Sequence, residues 1–244
     1  PIGEIDKSIS IEDAFFGPSA LIDFVHGLQL KATGADISFT APLSDDAKIN
    51  KGTIRVNDLF KLYQFENLLY TMELTGLEVK NYLELSYAIW TNQMKNPDDH
   101  LLLIKPVDGG SDYDFVNYSY RFDSAAGIIY TVDVTKPNGE KIKIKRMANG
   151  APFDLKKKYK VALNSYRASG GGGLLTMGAG ISADSLRSRI IAVSNKDLRY
   201  FMMEWIEKKK KISPRTLNQW EFIPRKWVKA AAKRDRKLLF ETTE

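Results

Sequence analysis

Four consecutive glycines, Gly170 to Gly173, follow closely on the strand-like run KYKVALNSY, and no other feature of the 244-residue chain restricts its fold as tightly. Glycine gives up more backbone entropy on folding than any other residue, so a run of four past a strand end requires tight backbone geometry or close ligand approach. The run lacks the Gly-Lys-Ser/Thr ending of a Walker loop, and the βαβ context of a dinucleotide fingerprint does not follow it. From composition alone a flexible turn and a ligand-shaped loop both stay open.

Around this loop the chain alternates helical and strand patterns. Leu21, Phe24, Val25 and Leu28 recur at helical spacing behind Pro18 and Ser19, which predicts an amphipathic helix capped by Ser19. Ala35 to Thr40 reads as a strand ended by Pro42, and the stretch from Thr53 to Phe65 contains a short helical turn. Leu68 to Thr75 alternates apolar and polar residues, and Gly76 is expected to turn the chain into a helix, LEVKNYLELSYAIW. Asn92 to Tyr118 carries the turn signals NPDD, KP and DGGSDYD and is expected to be a surface loop. Two β-rich runs meet at Lys136-Pro137-Asn138-Gly139, which predicts a hairpin, and the Lys/Ile alternation from Lys141 to Lys145 predicts one wet face. Lys196 to Lys211 reads as a helix capped by Asn195, with Leu198, Phe201, Met202, Trp205 and Ile206 on one side.

Composition narrows the chemistry. The chain has 36 Lys and Arg against 30 Asp and Glu, a formal charge of +6 that favours anionic partners without naming one. It has no cysteine, so a disulfide framework, a thiolate metal site and a cysteine nucleophile are excluded. With two histidines, His26 and His100, a resident hydrolytic metal centre is not expected. His26 sits among apolar residues and is read as a hydrogen-bonded packing residue without a catalytic role. No apolar stretch approaches the roughly 20 residues that span a membrane, so no membrane partner is expected and the chain is predicted to be soluble. Pro1 opens the sequence, and no basic stretch leading into an apolar run follows, so no signal peptide is expected within it.

Five ordered blocks carry a resemblance over nearly the whole length: FFGPSALIDFVHGLQL, TGADISFTAPL, RVNDLFKLYQFENLLYTMELTGLEVKNYLE, YRFDSAAGIIYTVDVTKPNGEKI and YKVALNSYRASGGGG. In them the chain resembles the C-terminal domain of the 5'-nucleotidase and 2',3'-cyclic-nucleotide phosphodiesterase family. The resemblance implies an α/β (α+β) fold, a layered 5'-nucleotidase C-terminal-domain-like arrangement of mixed sheets flanked by helices. It implies residues 1–212 as the substrate-binding domain, with 213–244 a basic extension expected to pack on it. It further implies a periplasmic or secreted parent whose N-terminal metallophosphoesterase domain holds two divalent metal ions, this chain binding the nucleoside and holding no cofactor. The fragment alone is then expected to be inactive.

In that family two aromatic rings hold the base, and by motif position these are Phe122 and Tyr166. A base sandwiched between them needs ring centroids about 7 Å apart. Tyr120, two residues from Phe122 on what reads as the same face of an extended segment, is the rival for the first ring. Ser169 and the backbone of Gly170, Gly171, Gly172 and Gly173 are expected to shape the pocket edge.

Two departures separate the chain from the 5'-nucleotidase branch. Thr33-Gly34-Ala35-Asp36-Ile37-Ser38 stands where that branch has Asn-Gly-Gly-Gly-Ile-Arg, and Gly172 stands where it has an aspartate. Both resemble the 2',3'-cyclic-nucleotide 2'-phosphodiesterase/3'-nucleotidase branch, which is the expected function. The alternatives are a 5'-nucleotidase C-terminal domain, or a stand-alone nucleoside- or nucleic-acid-binding module using the basic stretch from Arg225 to Lys237. That stretch has Trp227 as its one aromatic and is read as a solvated helix, so nucleic acid is not the expected partner.

Overall fold

The computed structural model describes residues 1–44, 46–108 and 112–241, so Gly109, Gly110 and Ser111 of the expected surface loop, and the last three residues of the basic extension, lie outside the described residues. Two short strands, β1 (Gly3–Ile5) and β2 (Ile9–Ser10), and the single turn α1 (Asp13–Phe16) lead to helix α2 (Ala20–Thr33). The Ser19 hydroxyl accepts from the Ile22 amide and Gly34, at φ 65°, closes the far end in a left-handed cap. Strand β3 (Ile37–Thr40) follows, then β4 (Lys48–Ile49), β5 (Gly52–Ile54) and the short α3 (Val56–Leu62).

Strand β6 (Leu68–Thr75) runs straight into α4 (Gly76–Trp90) through a reciprocal cap: Thr75 Oγ1 accepts from the Glu78 amide, and the Glu78 carboxylate accepts from the Thr75 amide. Gly76 is therefore the first helical residue and not a turn. A Cβ there would lie 2.2 Å from the Asp154 carbonyl oxygen, so close chain packing is what requires glycine. After β7 (Ile104–Pro106) and β8 (Tyr113–Phe115) come β9 (Ser124–Ala126), β10 (Ile128–Asp133) and β11 (Ile142–Met147). The last two form the expected antiparallel hairpin. Its wet face is only partial: Lys143 and Lys145 are exposed, but Lys141 is buried and its Nζ donates to the Thr91 carbonyl and hydroxyl and to the Asn92 carbonyl. Burial lowers the Lys141 amine to about 8 against the opposing pull of Glu84.

Strand β12 (Lys158–Asn164) ends in the single turn α5 (Ser165–Ala168) and the glycine loop. Residues Ile190–Asp197 form strand β13, so the next helix, α6 (Leu198–Lys209), begins later than its pattern suggests and is capped by Asp197, which accepts from the Tyr200 amide, in place of Asn195. The chain closes with β14 (Lys211–Ile212), β15 (Trp220–Ile223) and α7 (Arg225–Phe240).

The central mixed sheet has the order β13-β6-β12-β3-β9, with β12 and β3 parallel and the other pairs antiparallel. A second sheet, β11-β10-β15, continues from β9, and β14-β1-β5 forms a third. Helix α4 buries Tyr82, Tyr87 and Trp90, and Tyr87 and Trp90 meet Trp220 and Phe222 of β15 in an aromatic core. The fold is thus the mixed, helix-flanked α/β arrangement expected from the resemblance. Helix α7 is tied down by Asp235, fully buried, which accepts from the Leu101 and Leu102 amides at 2.8 and 2.9 Å and pairs with His100 Nδ1 at 2.6 Å.

Candidate functional site

Strand β12 and the turn before β9 deliver two tyrosines to one cleft. Tyr120 and Tyr166 line it together with Leu43, Phe65, Asn67 and Asn164, enclosing about 340 Å³. None of these six side chains carries a charge at neutral pH, and three are aromatic, so the cleft suits a flat, neutral group. The Tyr120 and Tyr166 ring centroids are 6.4 Å apart, with the planes at 82°. Tyr118, 72% exposed, stacks on Tyr120 at 5.3 Å and 10° and backs its ring. A sandwiched base would need the half-exposed Tyr166 ring to turn toward the plane of Tyr120, with the present spacing already close to that required.

Phe122 is not part of the cleft. It is fully buried, stacked on Trp90 at 5.5 Å and edge-on to Phe115 at 5.8 Å. The expectation failed because Ser119–Arg121 is a 3₁₀ turn and not an extended segment. At three residues per turn, positions two apart face away from one another, so Tyr120 reaches the cleft and Phe122 the core. Tyr120, the rival, takes the place that motif position assigned to Phe122.

The glycine loop lies beneath the tyrosine and does not line the cleft. A Cβ on Gly171 would fall 2.5 Å from the Tyr166 ring, and one on Gly172 would fall 2.4 Å from Arg167 Nη1. Gly170, Gly172 and Gly173 have φ values of 92°, 73° and 75°, in the left-handed region that other residues enter at a penalty. Ser169 is also diverted: its hydroxyl donates to the Tyr166 carbonyl. These five residues shape the site through the backbone that carries Tyr166, not as its edge.

The residues that hold the site together escape a local reading of the sequence. Arg167 and Asp123 form a buried bidentate pair, Nε to Oδ2 at 3.0 Å and Nη2 to Oδ1 at 2.8 Å. The same guanidinium donates to the Tyr120 carbonyl at 2.6 Å and the Gly171 carbonyl at 3.1 Å, and its Cζ lies 5.4 Å from the Tyr166 ring centroid. Burial alone would lower the Arg167 pKa, but the facing Asp123 carboxylate outweighs it and holds the group firmly charged. The buried Tyr82 hydroxyl donates to the same carboxylate. One cation therefore joins the turn bearing Tyr120 to the turn bearing Tyr166. Below the cleft, Asn67 and Asn164 both donate to the buried Tyr63 hydroxyl at 3.3 Å. The Asn67 and Asn164 carbonyls accept from the Ser165 hydroxyl and the Arg167 amide, which leaves one N–H on each amide for a ligand.

The family's profile, described as 5'-nucleotidase, C-terminal domain, matches residues 1–179. The chain belongs to the 5'-nucleotidase C-terminal domain family. It is 33% identical over 190 residues to the trifunctional nucleotide phosphoesterase protein YfkN of Bacillus subtilis, covering 72% of this chain and 12% of that protein. It is 26% identical over 216 residues to the 2',3'-cyclic-nucleotide 2'-phosphodiesterase/3'-nucleotidase of Haemophilus influenzae, covering 81% of this chain and 30% of that one. The chain thus spans less than a third of either relative. In fold it is similar to a 5'-nucleotidase precursor from Thermus thermophilus, with a TM-score of 0.68 at 19% identity over 91% of this chain and 39% of that chain. It is also similar to the NAD nucleotidase of Haemophilus influenzae, with a TM-score of 0.62 at 21% identity over 91% of this chain and 37% of that chain.

Within this family the two departures acquire structural meaning. Ser38 is fully buried and engaged by His26 Nδ1 at 2.9 Å and Gln29 Nε2 at 3.0 Å, so its position is sealed from any ligand. An aspartate at position 172 would collide with Arg167 in its present place. Among the described residues, no three His, Asp or Glu side chains gather as a metal site.

Proposed function

We propose that this chain is the nucleoside-recognition part of a metal-dependent phosphoesterase that hydrolyses 2',3'-cyclic nucleotides and 3'-nucleotides. The observation that carries this reading is the uncharged cleft presenting Tyr120 and Tyr166, held in register by Arg167. Relatives named for those activities, from Haemophilus influenzae and Salmonella typhimurium, support it. A base offers a π-face whatever its identity, so tyrosine stacking tolerates several nucleosides, and the two remaining amide N–H groups suit the polar edge of a base. The chemistry would fall to two divalent metal ions in an N-terminal metallophosphoesterase domain of the same parent chain, periplasmic or secreted, and this chain by itself would be inactive. Its contribution is uniform binding, made at a part of the substrate remote from the reacting phosphorus.

The test is an assay of the full-length parent, supplied with Mn, Co or Zn, against 2',3'-cyclic AMP, 3'-AMP and 5'-AMP. Preference for the first two is expected; preference for 5'-AMP moves the parent to the 5'-nucleotidase branch. Tyr166→Ala in that parent is expected to raise KM about tenfold with kcat nearly unchanged, since stacking contributes about 1–3 kcal/mol per base. An equal fall in kcat with KM unmoved would remove Tyr166 from substrate binding.

A further inference from the structure

We infer a second binding site, for a phosphate chain of the di- to triphosphate class, in the groove around Trp205. Two adjoining cavities of about 340 and 250 Å³ share Leu28, Lys31 and Trp205, and no residue lining them lines the tyrosine cleft. Five cations border the two: Lys31 from α2, Lys208 and Lys209 from α6, Lys211 from β14, and Arg215 from the segment beyond it. Lysines at the end of α6 suit that helix terminus, but Lys31, Lys211 and Arg215 come from elsewhere in the chain.

The state of these cations points to a ligand. Among the described residues none of the five groove cations faces a carboxylate within 4.0 Å, so their clustered positive charge is not offset by ion pairs of the kind Arg189 and Arg236 make. Two carboxylates border the cavities, Asp23 and Glu204, but Asp23 is buried and turned to the Leu217 amide, from which it accepts at 2.7 Å. The Lys31 ammonium lies 3.8 Å from the Trp205 ring centroid and that of Lys209 lies 5.2 Å from it. Stacking on the indole gives two flexible side chains defined positions before any anion arrives, which reduces the ordering penalty of binding. Cations spread along two joined cavities match successive phosphate groups better than one isolated anion.

Titration calorimetry of the 244-residue chain with sodium tripolyphosphate at low salt tests this site. Binding in the sub-millimolar range is expected, weakening with salt as charge–charge contacts do. Lys31→Glu with Lys209→Glu is expected to weaken it at least tenfold. Lys229→Glu with Lys233→Glu, the same charge change on the exposed face of α7, is expected to weaken it less than twofold. Equal loss in both double variants would reduce the effect to net charge and overturn the site, as would no heat from tripolyphosphate at millimolar concentration. ATP in place of tripolyphosphate separates the sources: equal affinity assigns the site to the free chain, while tighter ATP binding that survives Tyr166→Ala assigns it to a nucleotide's phosphate tail. Binding of ATP that Tyr166→Ala abolishes and Lys31→Glu/Lys209→Glu leaves intact places all recognition in the tyrosine cleft and counts against the groove.

Discussion

Arg167→Met is expected to destabilise the chain by about 3–5 kcal/mol in urea unfolding, because it leaves the Asp123 carboxylate in the core without its cation. Three further links go with it: the donations to the Tyr120 and Gly171 carbonyls and the contact beneath the Tyr166 ring. A double variant separates charge burial from the rest. Arg167→Met with Asp123→Asn removes the stranded charge and keeps an acceptor for the Tyr82 hydroxyl, so it should be more stable than Arg167→Met alone by about 2 kcal/mol. On the proposed reading, its nucleoside affinity should stay at least tenfold below that of the unmodified chain, since the guanidinium that links the two tyrosine-bearing turns is then gone. A loss below about 1 kcal/mol in the single variant would show that the pair is dispensable to the fold.

That pair also marks the limit of what local pattern discloses. Helix α2 was legible because its determinants are local, a helical apolar spacing behind the Ser19 cap, and so were strand β6 and helix α4 as elements. The junction between them was not, since Gly76 reads as a turn and the reciprocal cap of Thr75 and Glu78 makes it the first helical residue. The hairpin was legible from Asn138-Gly139 because that signal too is local. Asp123 and Arg167 are 44 residues apart, and no spacing rule joins them. Strand β13 was hidden because Ile191 and Val193 are both exposed on an edge strand whose pairing with β6 shifts register, which erases the expected alternation. Lys141 read as surface because lysine is rarely buried, yet three oxygen acceptors converge on its ammonium. The site itself was half legible. The family resemblance located both aromatic segments, but the 3₁₀ turn that puts Tyr120 outward and Phe122 inward is a matter of local geometry that motif alignment does not carry.

The second large effect concerns acid. His26 is fully buried, and desolvation lowers its pKa from 6.5 to about 3. Its neutral ring is well served: Gln29 donates to Ser38 Oγ, which frees that hydroxyl to donate to Nδ1, while Nε2–H donates to Ser124 Oγ at 3.1 Å. Because the folded chain resists protonation there, His26 contributes stability that is complete above pH 6.5 and is lost as pH falls toward 3. Asp23, three residues earlier on α2, works in the opposite direction. Burial raises its pKa from 3.8 to about 6, against the donation from Leu217, so its protonation below pH 6 favours the folded state. Between about pH 7.5 and pH 4.5 the histidine withdraws about 3 kcal/mol and the aspartate returns about 2, at roughly 1.4 kcal/mol per unit, so the histidine prevails. His26→Gln, compared with the unmodified chain, should therefore gain about 3 kcal/mol in relative stability over that interval, and Asp23→Asn should lose about 2. Urea midpoints at the two pH values measure both differences, and every other carboxylate cancels in the comparison. If the two variants track the unmodified chain in parallel across the interval, neither group carries the acid response, and the buried chain from Ser38 through His26 to Ser124 serves packing alone.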